Sequence, residues 1–427
     1  IKRDQLPWMG ELATEALAVY HVYGDARLVR RTLAVLAELG PAPARPLEQQ
    51  LYPGLQAVWK REGGELNGIP SYTLWWVVGM ADYVRYTGDR SLLVEYTPEL
   101  LATLRHIARH VGSDGLWHFR RNRADEGWKP LSTSGCEVCC HLLASLALSR
   151  GTELVASLGR LDAADYCSAL WMHMVDAARR AWFDSDLQAL QTATGGSGPR
   201  PRVQPILDVP KGQDLGPAHH AYAMAVRSGC LSPAEAAELF VQTQTSDPPY
   251  PMTYWHRYSD LEAAARVGQI KWGLDHLRQH WGSVLEAGMA TLWETFDSSW
   301  LGNDPHGMSI VTGESATYGG YRTSHCYGGA AGPAAWLHRA VLGVVPVRDG
   351  FTTVRFAPAL GDLGWAEGSM PTPHGPIHVS LRRRSGGLPL ADITLPEGID
   401  LQVSAETASQ WEVRERRSTT RGGDIDC

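Results

Sequence analysis

Residues 11–40 read ELATEALAVYHVYGDARLVRRTLAVLAELG, and this stretch decides the fold. Between Glu11 and Tyr23 the apolar residues recur at spacings of three and four, which is the spacing of one face of an α-helix. Gly24-Asp25 then ends the helix, because glycine readily adopts the left-handed conformation that follows a helix. A second amphipathic helix follows at once and completes the stretch. The stretch therefore predicts two antiparallel helices joined by a short turn.

The same pairing of helices recurs along the chain as far as residue 343. Further helices are predicted near 71–87, 89–111, 134–150, 160–182, 217–228, 232–243, 251–267, 270–287 and 328–343, which makes eleven in all. Joints within a pair are mostly short, whereas most joints between pairs are long and rich in proline, glycine and aromatic residues. In a ring of helical hairpins the joints between pairs all emerge at one rim. Loops of this length are more often functional than accidental, so we expect a cleft at that rim.

The hydrophobic period changes to two after Gly343. Alternating apolar residues between 351 and 403, divided by turn signals, predict short β-strands. We expect residues 344–413 to form a small antiparallel β-sandwich after a helical domain at 1–343. The last stretch, 414–427, is rich in Arg, Gly and Thr without periodicity, and we expect it to be disordered.

The composition of the 427-residue chain argues against several classes of function. The formal charge of −7 offers no basic surface for a nucleic acid backbone. We find no apolar run long enough to span a bilayer and no secretory signal, so we expect no membrane partner. Seven cysteines, an odd number in a long chain, favour reduced thiols and a cytoplasmic setting. The 16 tryptophans and 15 tyrosines favour a carbohydrate ligand, because both rings offer an apolar face and a polar edge.

Two loops that carry carboxylates are expected to reach the same rim. The opening stretch Lys2–Glu11 contains Asp4, and residues 289–297 contain Glu294 among bulky aromatic side chains. Glycoside hydrolysis requires one protonated carboxyl group at the leaving oxygen and one carboxylate that activates water or attacks the sugar. Asp4 and Glu294 form such a candidate pair. A surface or helix-capping role for Asp4 and a structural salt bridge for Glu294 are the competing interpretations.

These two segments also resemble the acidic motifs of a known enzyme family. Arg3-Asp4-Gln5-Leu6-Pro7-Trp8-Met9-Gly10-Glu11 is similar to the Arg-acid-x-Leu-x-Trp-x-Gly-acid core of the bacterial α-L-rhamnosidases, glycoside hydrolase family 78. Ala290-Thr291-Leu292-Trp293-Glu294 resembles their second acidic motif. Segments at 68–76, 219–223, 331–333 and 364–375 resemble family segments in the same order. The resemblance covers nearly the whole chain, and the two acidic motifs are its most specific part.

The resemblance implies an (α/α)6 six-hairpin toroid followed by a β-sandwich, cleaving terminal α-L-rhamnose with inversion. We expect no metal and no cofactor. It gives Asp4 the role of general acid and Glu294 that of general base, with the carboxyl groups ~6.5–9.5 Å apart. The expected partner is a rhamnose-containing glycoside or polysaccharide. The sugar-binding positions implied are Arg3, Trp8, Glu11, Trp128 and His220. For His220, a core histidine is an equally good interpretation.

The chain departs from the family pattern in three places. An Asp that family members carry just upstream of the Arg-acid pair falls before the first residue, and the usual N-terminal β-domains are absent. A His of the family falls at Tyr327, with His325 two positions earlier, so either side chain, or neither, takes that role. A closed ring of six pairs needs twelve helices, so we expect the twelfth to precede Asp4 and to pair with 328–343.

Other motifs are weaker candidates. Cys136-x-x-Cys139-Cys140-His141 has one half of a zinc site without the second half, and buried thiols are the better interpretation. The sequence has no phosphate-binding glycine loop and no Ser-His-Asp signature. Three hypotheses therefore stay open: an inverting α-L-rhamnosidase, another glycan-active toroid that acts as a hydrolase or lyase, and a truncated glycan-binding protein without catalysis.

Overall fold

The structure of the protein is a computed structural model that describes the greater part of the chain. The described residues are 8–38, 57–60, 66–68, 70–120, 134–135, 138–182, 219–244, 253–296 and 324–418. Asp4, Arg3 and Trp128 lie outside these ranges, as do residues 419–427 of the expected tail.

Helices dominate the described residues up to 341, and one is present at each of the eleven predicted positions. The α-helices are α1 (Met9–Ala18), α2 (Arg27–Glu38), α3 (Pro70–Thr87), α4 (Ser91–Glu95), α5 (Thr97–Arg109), α6 (Val138–Ser157), α7 (Leu161–Trp182), α8 (His219–Ser228), α9 (Pro233–Gln244), α10 (Tyr254–Arg266), α11 (Ile270–Leu277), α12 (Ser283–Glu286), α13 (Gly332–Trp336) and α14 (Ala405–Gln410). π-Helical turns extend α1 through Val19–Tyr23 and α13 through Leu337–Val341, and a 3₁₀ turn, Gly328–Ala331, precedes α13.

The largest difference from the predicted bounds is at α6, which continues past Gly151 to Ser157. A Cβ atom at Gly151 would lie 2.5 Å from Leu104 on α5. This glycine therefore serves the close approach of two helices and does not end one, which the sequence pattern alone cannot distinguish.

Six of the helices form a closed inner ring. α1, α3, α6, α8, α10 and α13 each contact the next along the chain, and α13 returns to contact α1. Large side chains of these helices, among them Trp75, Trp76 and Trp336, are fully buried. α2 and α5 bury only one face, as expected for helices of an outer layer. The prediction of a mainly helical domain is confirmed.

Helix α6 is long and apolar enough to cross a membrane by length and composition, contrary to the expectation that no such run exists. In the structure it packs against α3, α7 and α8, and most of its surface is buried. A helix surrounded by other helices has no polar face, and this position explains its hydrophobicity.

Small sheets complete the structure. The strands are β1 (Ala57–Lys60), β2 (Leu66–Gly68), β3 (Phe119–Arg120), β4 (Ser134–Gly135), β5 (Val344–Pro346), β6 (Thr353–Phe356), β7 (Trp365–Met370), β8 (Ile377–Arg382), β9 (Leu390–Leu395), β10 (Asp400–Val403) and β11 (Glu412–Arg417). β1 pairs with β2 and β3 with β4 in the joints between helices. After the ring, one sheet has the order β10-β6-β5 and the other β11-β9-β8-β7.

The expectation of a wholly antiparallel β-region is wrong in two pairs. β10 runs parallel to β6 and β11 runs parallel to β9, whereas the pairs β5–β6, β7–β8 and β8–β9 are antiparallel. Alternation of apolar residues reports which face of a strand is buried and not its direction. The direction is set here by the connections through the other sheet and α14, because parallel neighbours require a crossover.

Strand β11 also corrects the expected boundary of the disordered tail. Residues 414–417 pair with β9 along their whole length, so the prediction of disorder is wrong for them. Their Arg-Glu-Arg-Arg side chains are exposed at the edge of the sheet, where charge discourages pairing with another chain. Backbone hydrogen bonds to β9 hold this segment in the sheet, although its sequence lacks alternating apolar residues.

The C-terminal β-region contacts the ring where inner helices end. Near the end of α3, Arg85 lies 3.3 Å from Asp349, and the ring of His338, after α13, lies 3.1 Å from the carbonyl oxygen of Ser369. This region therefore lies at the end of the ring where α3 and α13 terminate. The opposite end, where the inner helices begin, carries Glu11 and Glu294.

Candidate active site

The candidate site is built where the inner helices begin. Glu11 and Tyr72 lie in the first turns of α1 and α3, and His220 and Trp255 lie in the first turns of α8 and α10. The positive ends of several helix dipoles therefore converge here, which favours acidic side chains and other negative charge.

Gly10 permits close packing at the start of α1. A Cβ atom at Gly10 would lie 2.8 Å from the rings of both Trp255 and Tyr72. Trp8 packs edge-on against Tyr72, with ring centroids 6.0 Å apart. Only glycine lets α1 approach α3 and α10 this closely. The packing fixes the first turn of α1 and with it the position of Glu11.

Glu11 is a buried carboxyl group with 7% of its surface exposed. Burial raises the pKa of Glu11 to about 7, against a hydrogen bond that the Tyr72 hydroxyl donates to Oε2 at 2.9 Å. The negative charges of Glu294 and Glu15 raise this pKa further. Protonated and ionised forms of Glu11 therefore coexist at neutral pH, so the group can donate or accept a hydrogen bond.

Glu294 is fixed by backbone groups on both sides. The Tyr254 N–H donates to the Glu294 carbonyl oxygen at 3.0 Å, and the Glu294 N–H donates to the Ser324 carbonyl oxygen at 2.9 Å. The Ser324 N–H donates to Oε2 of Glu294 at 3.1 Å. The side chain is 1% exposed, and a backbone donor of this kind stabilises a buried carboxylate. The acid is therefore held rigidly beside the start of α10.

Trp293 and His325 stack on each other next to this carboxylate. Their ring centroids are 4.0 Å apart and the planes are inclined by 14°. Phe296 packs edge-on against Trp293 at 5.8 Å. Trp293 is 6% exposed, whereas His325 is exposed. Partial burial of the ring lowers the pKa of His325 below its usual value, which favours the neutral imidazole.

Tyr327 lies on the same segment as His325 but points elsewhere. Its N–H donates to the Leu292 carbonyl oxygen at 2.9 Å, and its hydroxyl is buried without a hydrogen-bond partner among the described residues. Burial raises the pKa of Tyr327 well above its usual value, and the charges of Glu11 and Glu294 act in the same direction. The two candidates thus differ: Tyr327 lies near the acids, and His325 lies on Trp293.

His220 lies at the same end of the ring as Glu11 and is deeply buried. Its side chain is 2% exposed, and its ring packs edge-on against His256 at 5.0 Å. This burial fits the interpretation as a core histidine, and its contact with sugar stays a prediction. The roles of Asp4, Arg3 and Trp128 also stay predictions, because these residues lie outside the described ranges.

The structure adds two residues that the motifs did not single out. Glu15 lies one turn after Glu11 on α1, and a Cβ atom at Gly328 would lie 2.0 Å from its Oε1. Burial raises the pKa of Glu15. The second residue is Tyr72, which holds Glu11. The spacing of four residues from Glu11 could have indicated Glu15, whereas the role of Tyr72 follows only from the packing of α3 on α1.

Within the described ranges, no group of three or more His, Cys, Asp or Glu residues is arranged to hold a metal ion. Cys139 and Cys140 are buried in α6. Nδ1 of His141 accepts a hydrogen bond from the Trp117 N–H at 3.0 Å, and Nε2 lies 2.9 Å from the Met174 carbonyl oxygen. His141 therefore ties α6 to its neighbours, which supports the structural interpretation of this part of the cysteine motif.

Comparisons with known proteins bear on the fold and on the likeness to other proteins. Residues 343–419 match the bacterial alpha-L-rhamnosidase C-terminal domain. An alpha-L-rhamnosidase of Streptomyces avermitilis is 23% identical over 408 residues, which cover 91% of this chain and 34% of that protein. The crystal structure of a GH78 family rhamnosidase of Bacillus sp. GL1 matches with a TM-score of 0.74 and 24% identity, over 98% of this chain and 40% of that one. The S. avermitilis enzyme complexed with L-rhamnose matches with a TM-score of 0.61 and 18% identity, over 90% of this chain and 34% of that one.

The structural matches show a shared fold, a mainly helical domain followed by a small β-region. The chain spans only 34% of the length of the S. avermitilis relative. The domain match at the C-terminus and the sequence similarity along most of the chain point to the same group of proteins. Residues 343–419 thus match a domain of the bacterial alpha-L-rhamnosidases, and most of the chain is similar to one part of the longer α-L-rhamnosidases of glycoside hydrolase family 78.

Proposed function

We propose that the chain is the catalytic part of an inverting glycoside hydrolase that releases terminal α-L-rhamnose from glycosides or polysaccharides. The observation that carries the proposal is the buried Glu294 carboxylate, fixed by Ser324 and within electrostatic reach of Glu11. Similarity to the α-L-rhamnosidases and the L-rhamnose bound to the S. avermitilis relative support rhamnose as the sugar. In this proposal the six inner helices are the inner layer of an (α/α)6 toroid.

Glu294 acts as the general base in this proposal. Its carboxylate takes a proton from a water molecule while the water oxygen attacks the anomeric carbon. Asp4 acts as the general acid and gives its proton to the leaving oxygen as the glycosidic bond breaks. Because water attacks the face opposite the leaving group, the configuration inverts.

The other site residues bind the sugar in this proposal. Glu11 donates a hydrogen bond to a sugar hydroxyl group or accepts one from it, because both of its protonation states are populated at neutral pH. Trp8 offers an apolar ring, and the Tyr327 hydroxyl has unused hydrogen-bonding capacity among the described residues. The family resemblance supplies three further contacts: Arg3, Trp128 and His220.

The lyase alternative has less support. A lyase would remove a proton with a Tyr or His side chain, and such a base works best when its pKa lies near the working pH. The pKa of Tyr327 is instead held well above its usual value by burial and by the neighbouring acids. A pair of carboxyl groups therefore fits this site better.

Hydrolysis of an aryl α-L-rhamnoside tests the proposal. We expect turnover, with β-L-rhamnose as the first sugar detected by NMR. Glu294→Gln is expected to lower kcat by about 10²–10⁴-fold, the usual contribution of general acid–base catalysis. Asp4→Asn should also lower kcat, and least for aryl groups that leave readily without protonation. Glu286→Gln, at an exposed position on α12, is the matched surface control and should leave kcat unchanged.

Two results would contradict the proposal. Normal turnover by Glu294→Gln would remove Glu294 from the role of base. Binding of rhamnose by calorimetry, without turnover of the aryl rhamnoside, would instead identify a glycan-binding protein.

A further inference from the structure

His325 reaches Glu294 by two routes. Its ring stacks on Trp293, which directly precedes Glu294 in the chain. Its own preceding residue, Ser324, donates the N–H that binds Oε2 of Glu294. A displacement of His325 would therefore be transmitted to the carboxylate through both segments.

The two segments depend on this local network for their order, because both lie outside helices and strands. Four hydrogen bonds surround the stack. Two of them join Glu294 and Ser324: the Glu294 N–H donates to the Ser324 carbonyl at 2.9 Å, and the Ser324 N–H donates to Glu294 Oε2 at 3.1 Å. The Tyr327 N–H donates to the Leu292 carbonyl at 2.9 Å. The Thr291 hydroxyl donates to the His325 carbonyl. The stacked rings of Trp293 and His325 belong to the two segments that these bonds join.

The stack also determines what Trp293 can do. One face of the indole is covered by His325, and Phe296 packs edge-on against the same ring. With 6% of its surface exposed, Trp293 has no open face on which a sugar could stack. Its part at the site is therefore to support its neighbours, and His325 is the ring that completes this support.

We infer that His325 is a positioning residue for Glu294: its stack on Trp293 keeps the Ser324 N–H and the Glu294 carboxylate in register, and it does not bind the sugar. The inference rests on the proposed role of Glu294 as general base. A neutral imidazole suits this task, because it adds no positive charge that would weaken the neighbouring base. The lowered pKa of His325 favours this neutral form.

Kinetics of two variants on an aryl α-L-rhamnoside test the inference. His325→Ala removes the stacked ring, and His325→Phe restores a flat ring without nitrogen atoms. Because a displacement of a catalytic group by ~1 Å can cost on the order of 10²-fold, we expect His325→Ala to lower kcat by about 10–10²-fold. KM should stay unchanged, and His325→Phe should recover most of the lost kcat.

His276→Ala is the matched control for the loss of a histidine–tryptophan stack. The His276 ring stacks on Trp272 of α11, with centroids 4.6 Å apart and an inclination of 18°. This pair belongs to a helix outside the inner ring. We expect His276→Ala to lower the unfolding temperature without lowering kcat.

Distinct results overturn the inference and the proposed function. A higher KM with normal kcat in His325→Ala would make His325 a sugar-binding residue, and failure of His325→Phe to recover kcat would show that the ring nitrogens are needed. Either result overturns the inference. If His325→Ala does not fold, the kcat of His325→Phe decides alone. Inactive wild-type protein, or an active Glu294→Gln variant, would reject the proposed function itself.

Discussion

Replacement of Glu11 by Gln is expected to stabilise the protein, and increasingly so as the pH rises. Burial raises the pKa of Glu11 from its ordinary value of 4.5 to about 7, so the folded chain holds a proton that the unfolded chain releases between these values. Well below pH 4.5 both states are protonated and the group has no effect on stability. As the pH rises toward 7, unfolding is progressively favoured, because the unfolded chain ionises more easily.

The size of the effect follows from the two pKa values. Their difference corresponds to about 3 kcal/mol of unfolding free energy, at 1.36 kcal/mol for each pKa unit. Glu11→Gln keeps the shape of the side chain and an acceptor for the Tyr72 hydroxyl, but it cannot ionise. We therefore expect the variant to be more stable than the wild type by about 3 kcal/mol at pH 8 and by about 1 kcal/mol or less at pH 5.

Urea unfolding at several pH values between 5 and 8, followed by tryptophan fluorescence, measures this difference. Glu286→Gln removes an exposed carboxylate from α12. Its difference in unfolding free energy from the wild type should not grow comparably with pH. If the gain in unfolding free energy from Glu11→Gln were the same at pH 5 and pH 8, the raised pKa of Glu11 would be refuted. A variant that is less stable than the wild type at pH 8 would refute it as well.

Two further substitutions test the packing and the buried charges of the ring. Gly10→Ala places a Cβ atom 2.8 Å from two buried aromatic rings, so we expect a loss of about 1–3 kcal/mol together with lower kcat. An unchanged urea midpoint would contradict the close packing at this position. Arg339→Met leaves Glu262 buried without the guanidinium 2.9 Å away, and removal of one partner from such a pair costs about 3–5 kcal/mol. Arg278→Ala, which breaks the exposed pair with Asp362, should hardly change the unfolding temperature, and similar losses in both variants would count against the distinction.

The helices of the ring were predictable because each must turn an apolar stripe toward its neighbours. The stripe between Glu11 and Tyr23 and the turn at Gly24 locate the first helix, and the structure has it there. The same rule failed at Gly151, where glycine serves a close helix contact inside α6. It also could not give strand direction, because alternation is the same in parallel and antiparallel pairs.

The site was only partly predictable, because its contacts are made between distant parts of the chain. The sequence identified Glu294 as an acid among aromatic residues, and the structure buries it. Its backbone donor Ser324 lies 30 residues further along, and no local pattern indicates that contact. The raised pKa of Glu11 likewise comes from the packing of three ring helices. The different surroundings of His325 and Tyr327 depend on a bend between them that two-residue spacing does not reveal.

Closure of the ring by α1 and α13 has a consequence for folding kinetics. Glu11 stands on the first ring helix and Tyr327 directly before the last, so the loop that joins them contains nearly the whole helical domain. The entropic cost of closing so long a loop is met only when the remaining helices are already packed. Intermediates rich in helix would therefore still lack the site. Recovery of activity during refolding should report the final closing step, and circular dichroism the earlier formation of helices.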